Sequence, residues 1–444
     1  MGEKKKRGFS LTESQLGYLM VLPAIILISV ITLWPIAQSF YNSLFDYRLN
    51  DPTRNQTTLN YQIDLETYVD NQFYLERDLS SLASSAQGEV QAYLEQLEMD
   101  IASHHQELLE LDGMAEQYDE VDDMVMMFQP VNDSDLRYAR LPNDFAESYT
   151  ETIEDGRAQI QQFIETTSDE GLEDELTSLG ASLLTTDRSL IRPNFIGLTN
   201  YGKYLQDDRM WRAMWNTVLF TTVSVFFELV IGLAVALVIN RAFFGRGIVR
   251  ASVLIPWAIP TAVGAMMWRY LYDGQSGVVS HYFAQLGIIS DSSVLLSTGS
   301  GAMAAIILAD VWKTTPYMAL LLLAGLQTIP RTLYEAAEVD GANKIQTFIK
   351  ITLPMLKSAI LVALLFRTLD AFRVFDLIYV LTGGGPANRT ESISVYAYKV
   401  LFAQQNFGEG AVLSVIVFIS VAIISTLFIK IIGSDLFESR GGRG

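Results

Sequence analysis

Six separated apolar stretches, each long enough to cross the ~30 Å hydrocarbon layer as a helix, restrict this chain to a membrane fold. They lie at 16 to about 39, 215–239, 250–272, 302–326, 355–381 and 410–432. Between the first two lies sequence of another kind. From Asp51 to Arg192 there are 32 acidic residues and 7 arginines with no lysine, whereas the remainder carries 24 basic and 18 acidic residues. A bulk charge of −19 over 444 residues therefore conceals an acidic, water-exposed domain set into a slightly basic membrane protein. Nucleic acid is not an expected partner of such a chain. With no cysteine, the acidic domain must fold on apolar packing alone.

Charge also orients the spans. Lys4, Lys5, Lys6 and Arg7 precede the first apolar run, as in the n-region of a signal peptide. The run is longer than a signal core and no small-residue cleavage site follows it, so it reads as an anchor with its basic end inside. Arg241, Arg246, Arg250, Arg331, Lys344, Lys350 and Lys430 then fall on the cytoplasmic side, and the outer loop 273–300 has no Lys or Arg. The predicted organisation is a cytoplasmic tail 1–15, a first transmembrane helix 16–44 and an acidic extracytoplasmic insert 45–194. A membrane core 195–432 and a cytoplasmic tail 433–444 complete it.

Within the insert, Leu75, Leu79 and Leu82, then Val90, Leu94, Leu97 and Ile101, and later Leu108 and Leu111 recur at helical intervals. They predict a helical hairpin or small bundle, with Pro130 and Pro142 bracketing a turn and a further helix through Ile160, Phe163 and Ile164. Disorder competes because of the acidity, but the leucines and the aromatics Tyr93, Phe128 and Phe163 oppose it. His104 and His105 are adjacent and do not share a helix face, so no metal site is expected there.

Catalytic chemistry is not expected anywhere. The chain lacks the G-x-x-x-x-G-K-[ST] phosphate loop, and Gly383-Gly384-Gly385-Pro386 has no lysine to meet phosphates. Ser, His and carboxylate residues do not cluster as a catalytic site requires. The predictions are accordingly no catalytic residue, no cofactor and no metal.

The later spans instead carry unusual charge. Arg367, Asp370, Arg373 and Asp376 recur every three residues in the fifth span, where neighbours face one another. Each ionisable group costs at least about 2.5–3.5 kcal/mol at a bilayer centre, so they should turn inward and pair. They form either a structural ion-pair ladder or part of a substrate pathway. The fourth span adds Asp310, Trp312, Lys313, Pro316 and Tyr317 around a proline kink. Carboxylate and guanidinium groups can bond hydroxyls while aromatic faces cover the apolar side of a pyranose, so this mixture suits a sugar.

Glu335-Ala336-Ala337-Glu338-Val339-Asp340-Gly341, followed after nine residues by Ile351-Thr352-Leu353-Pro354, sits between the fourth and fifth spans. Read locally, it is a short helix of about 332–343 opened by Pro330 and Thr332 and broken at Gly341. The spacing resembles the loop that binding-protein-dependent ABC importers present to their ATPase, with every fixed position filled. Phe195-Ile196-Gly197-Leu198-Thr199-Asn200-Tyr201, Trp211 and Trp215-Asn216-Thr217 resemble the stretch before the second core helix of sugar-type permeases. Trp312, Pro316 and Tyr317 match the W-x-x-x-P-Y pattern of maltose-type permeases, in which the tyrosine region touches substrate. On the fifth span those permeases use a serine, an aromatic and asparagines where this chain has Arg367, Asp370, Ala371 and Val374.

This resemblance implies an all-α membrane protein with the type I ABC importer permease fold, six transmembrane helices and a predominantly helical insert between helices 1 and 2. It implies a coupling surface of Glu335, Ala336, Ala337, Asp340, Gly341, Leu353 and Pro354, and a sugar pathway through the charged and aromatic residues of spans four and five. The implied partners are a second homologous permease, two ATP-binding cassette ATPase subunits, an extracytoplasmic sugar-binding protein and membrane lipid. The expected location is the cytoplasmic membrane of a prokaryote with both termini inside. Two other classes remain open on the residues alone: an ion-coupled secondary transporter, suggested by the charged fifth span, and a membrane receptor with the insert as its sensing domain.

Overall fold

A computed structural model of the protein describes residues 12–441. The basic run Lys4, Lys5, Lys6 and Arg7 and the last three residues of the predicted C-terminal tail lie outside the described residues. The chain divides into two compact units, one formed by Leu44–Gly197 with Gln405–Gly408 and the other by the remaining residues. The first span is helix α1, Leu16–Asn42.

Five long helices build the unit that contains the insert: α2 Leu65–Ser85, α3 Glu89–Glu110, α4 Met114–Met126, α5 Asn143–Thr166 and α6 Glu170–Ser189. The leucine periodicity does what it predicts, since Leu75, Leu79, Leu82, Leu94, Leu97, Ile101 and Leu108 all lie in one core with Tyr149, Ile160 and Leu183. Gly156 lets α5 close on α3, because a Cβ there would stand 3.1 Å from Leu97. Carboxylates start two of the helices: Asp64 accepts from the Thr67 amide and Asp169 from those of Gly171 and Leu172, each satisfying amides that the first turn leaves unpaired.

Two features differ from expectation. The segment between Pro130 and Pro142 is not a plain turn: it holds a short helix, Ser134–Arg137, and a strand. That strand, β2 Tyr138–Arg140, flanks β1 Gln62–Asp64, which pairs on its other side with β3 Leu190–Ile191, all antiparallel. Strands of two or three residues are too short to show a period-two signal. Phe128, counted among the core aromatics, is instead 96% exposed in a left-handed backbone conformation at the end of α4.

Charge in this unit is managed locally. Arg137 grips Asp64 through two bonds of 2.9 and 2.6 Å and reaches Glu66 at 2.5 Å. Arg54, Arg77, Arg157 and Arg192 likewise pair with carboxylates. From Asp51 to Arg192 seven arginines cannot neutralise 32 acidic side chains, so self-repulsion opposes the fold. His104 and His105 serve different helices: His104 stacks on Tyr149 and bonds Ser148, while His105 shares a 3.1 Å bond with Tyr68. Burial pushes the His105 imidazole below its ordinary value of 6.5 and the Tyr118 phenol beside it up to about 12.

The membrane core begins with α7, Asp208–Asn240. The third span is bent rather than straight: α8 Arg246–Ala258 and α9 Thr261–Leu271 meet at 88°. Ile259 is extended, as residues before proline tend to be, and Pro260 has no amide to continue a ladder. Then come α10 Gly299–Gln327, the short α11 Arg331–Val339, and α12 Lys344–Phe372. The fifth span ends earlier than the predicted 381, because Arg373 and Phe375 leave helical geometry before α13, Asp376–Leu381. Helix α14, Ile393–Ala403, was not predicted, and α15 runs from Phe407 to Gly441, into the predicted tail 433–444.

α10 is the most buried span, packed along α7 and against α12. Small residues allow this: a Cβ on Gly232 would meet Met318 at 2.9 Å, and one on Gly325 would meet Ala359 at 2.4 Å. Hydrocarbon supplies no hydrophobic drive between helices, so such close approach is what joins them.

Two outcomes are expected of the insert in the intact protein. Raising NaCl from about 0.1 to 1 M shortens screening from roughly 10 to 3 Å and should slow amide exchange in α2–α6 by at least about threefold; unchanged exchange would mean that repulsion does not limit the fold. Because burial lowers the His105 imidazole below 6.5 in the folded chain, the unfolded chain binds more protons as the pH falls through 6.5. Stability should be complete above that pH and fall as the pH drops toward the lowered folded value, and His105→Gln should remove that step from the unfolding profile.

Candidate functional site

Arg367 of α12 is 2% exposed and carries a charge that hydrocarbon cannot solvate. Three elements answer it. Its Nε and Nη2 donate to the two oxygens of Glu228 on α7, at 2.5 and 2.9 Å. Nη2 also reaches Asp310 of α10 at 2.5 Å and Thr314 at 3.3 Å, and Nη1 reaches Asp370, one turn along α12, at 3.1 Å. The planar guanidinium is the side chain that can serve several carboxylates at once. Glu228 is fully buried and Asp310 nearly so, while Asp370 is 68% exposed.

The cluster therefore runs from a dry interior to an open side, where it lines a cavity of about 260 Å³ with Trp257, Lys313, Arg373, Phe375 and Asp376. Lys313 is not a free cation in this cavity. Its ammonium donates to the carbonyls of Ile259 and Trp257, at 2.8 and 3.4 Å, which the break between α8 and α9 leaves without helical partners. Tyr317 stacks on Trp257 at 5.7 Å and holds that indole at the cavity edge, whereas Trp312 packs edge-on against Trp268.

The expected four-membered ladder does not form. Arg367 and Asp370 pair, but the helix ends at Phe372, so Arg373 turns back to the Leu369 carbonyl and Asp376 begins the next helix. Both still reach the cavity wall. The partner that sequence reasoning missed is Glu228. Its signal was present, since a lone carboxylate within a span is a functional hypothesis by default.

The second predicted surface is α11. Pro330 precedes it, and it closes with paired bonds, Ala342 N–H to the Ala337 carbonyl and Gly341 N–H to that of Glu338. That closure requires Gly341 at φ +75°, a conformation glycine adopts without cost. Ala337 is buried beneath the helix, while Glu335, Ala336 and Asp340 are exposed, as are Val339 and Ile345. Asn343 and Gln346 form a capping box that starts α12. Five residues on, the ladder widens by one residue at Phe348–Thr352, so that Leu353 bonds Phe348 and Pro354 enters the helix without breaking it.

Residues 228–437 match the family described as binding-protein-dependent transport system inner membrane component. The chain is 46% identical over 237 residues to the trehalose/maltose transport system permease protein MalF of Thermococcus litoralis, covering 53% of this chain and 79% of that one. This chain belongs to that transport family. The permease is also 47% identical over 249 residues to the trehalose transport system permease protein SugA of Mycobacterium tuberculosis, covering 55% and 78%. Among solved structures, a bacterial ABC transporter involved in the import of alginate is 24% identical, with a TM-score of 0.49 over 54% of this permease and 84% of that chain. The family match begins at Glu228 and leaves the insert outside it.

Arg367→Met would strand Glu228 and Asp310 as like charges without a cation. Removing one member of a buried pair costs about 3–5 kcal/mol, so the purified permease should melt markedly earlier. The triple change Arg367→Met, Glu228→Gln, Asp310→Asn should recover most of the loss. Equal thermal unfolding of the single variant and the parent would show that the cluster does not hold the spans.

Proposed function

We propose that this permease is one membrane subunit of an ATP-driven importer of a carbohydrate, with trehalose or maltose the first candidates. Identity of 46–47% to permeases named for those sugars carries the reading. The cavity chemistry supports it: Asp310, Asp370, Arg367 and Arg373 offer charge-assisted bonds for hydroxyls, and Trp257 offers an apolar face. At about 260 Å³ the cavity is below the roughly 300–1,000 Å³ of most ligand pockets. That size suits half of a pathway completed by a second, homologous permease.

In this reading both termini and α11 face the cytoplasm of a prokaryotic cell, and the insert, 45–194, faces outward. The chain itself is non-catalytic, and ATP is hydrolysed by two separate ATPase subunits. α11 seats in an ATPase groove, where Ala336 allows close approach, Glu335 and Asp340 present charge, and Gly341 turns the chain away. Leu353 and Pro354 lie where the force enters α12. A sugar-binding protein delivers substrate outside, with the insert as its docking surface. ATP-driven approach of the ATPases opens the pathway outward and hydrolysis resets it, the coupling resting on different affinities for the two states.

Glu335→Lys or Gly341→Pro should leave the permease inserted in the membrane yet reduce ATPase co-purification and trehalose uptake at least about tenfold, a loss of roughly 1.4 kcal/mol in coupling. If both readouts survived the charge reversal, α11 would not be the coupling element.

A further inference from the structure

Three arginines stand near the start of α7, and among the described residues only Arg209 has an acidic partner. Arg209 is clamped on Glu391 by bonds of 2.8 and 3.0 Å, an acid that Lys399 also meets at 2.7 Å. Among the described residues Arg212 bonds the Asp208 carbonyl of its own helix and no carboxylate, and Arg389 has no carboxylate within ion-pair distance. Arg212 and Arg389 nevertheless line one cavity of about 380 Å³, between the start of α7, the start of α10 and the loop 387–389.

That cavity is built. Arg389 lies across the first residue of α10, where a Cβ on Gly299 would stand 2.5 Å from its Cδ, so only glycine leaves room for the arginine stem. Ala387 and Asn388, just before it, both hold positive φ, a strained arrangement for two successive non-glycine residues. Asn216 on α7 steadies this loop by donating to the Glu391 carbonyl at 3.1 Å. The same cavity is lined by the apolar Leu219 and the buried Met303, by the polar Ser300, Asn216 and Asn388, and by Trp215, which is 65% exposed.

Two guanidinium groups with no acidic partner among the described residues, lining one cavity with Leu219, Met303 and an exposed indole at the ends of two spans, match an anion joined to an apolar body at the membrane boundary. We propose that this cavity binds a phosphate anion, held by Arg212 and Arg389, and that the phosphodiester headgroup of an anionic phospholipid is its source, the glycerol and upper acyl carbons lying on Leu219 and Met303. The site is separate from the Arg367 cavity and does not depend on which solute is carried.

The test uses the delipidated full chain and native mass spectrometry, titrated with phosphatidylglycerol, with phosphatidylcholine and with inorganic phosphate. Phosphatidylglycerol should be retained in preference to phosphatidylcholine. Arg212→Gln and Arg389→Gln should each weaken that retention about fivefold, and the lysine substitutions should restore most of it. Gly299→Val keeps both charges but displaces Arg389, and should weaken retention like Arg389→Gln while the unfolding temperature reports that the chain is folded. Inorganic phosphate that binds with the same arginine dependence when the lipid does not would keep the anion site and reassign its source. Equal retention of the two lipids without arginine-dependent phosphate binding, or full phosphatidylglycerol retention in the double Arg→Gln variant, would overturn the proposal.

Discussion

A guanidinium almost wholly buried, with only its edge on the cavity, ties three membrane helices together. Arg367 sits on α12 and its nearest acids sit on α7 and α10, so none of these spans can turn about its axis without leaving a charge unpaired. Packing alone would not fix them as tightly, because lipid tails solvate leucine as well as another helix does. The close contacts at Gly232 and Gly325 bring backbones together, and the ion cluster sets the angle at which they meet. Buried ion pairs are seldom the most stable solution, since apolar replacements of similar volume are often neutral or better. A cluster that opens through Asp370 onto a cavity therefore fits a polar lining for a polar solute better than it fits a device for stability alone.

The breaks in the helices belong to the same arrangement. α8 and α9 part at Pro260, and α12 stops at Phe372, so two interruptions border the cavity that the cluster lines. Irregular backbone within a membrane is tolerated where protein or water satisfies it. Lys313 does this for the first break, and the Ser392 hydroxyl, donating to Val374 at 3.0 Å, does it beyond the second. A lysine that reads in sequence as a substrate ligand thus has a prior duty to the fold.

What was legible in the sequence follows from the length of the signal. Spans of about twenty apolar residues and leucines recurring over four turns of α2 and α3 declared themselves. Gly341 marked the end of α11 through the backbone geometry it permits, whereas Pro354 lies ten residues inside α12 rather than at its start. The two- and three-residue strands carried no period, and Arg373–Phe375 has neither proline nor glycine to announce that the helix ends. The ladder from 367 to 376 failed for that reason: three-residue spacing places side chains together only while the helix lasts. Glu228 was visible as a lone acid in an apolar run, but its partner lies 139 residues away, and no local pattern links them.

The path from α11 to the cluster runs about 35 Å along a single helix. Ala337 buries the underside of α11, and the Tyr334 hydroxyl lies 3.2 Å from that of Thr352, so the small helix is fastened to the base of α12. The chain turns once at Gly341, is capped by Asn343 and Gln346, and then runs as one helix from Lys344 to Phe372, with a single widened turn at Phe348–Thr352. Arg367 rides on that same helix, one turn before its end. A displacement of α11 that the base of α12 follows must either carry Arg367 away from Glu228 and Asp310 or drag α7 and α10 with it. Packed interfaces of this kind pass between discrete arrangements rather than deform smoothly. Exposing or re-pairing a buried guanidinium is costly, so the residue that ties α12 to α7 and α10 resists any such displacement.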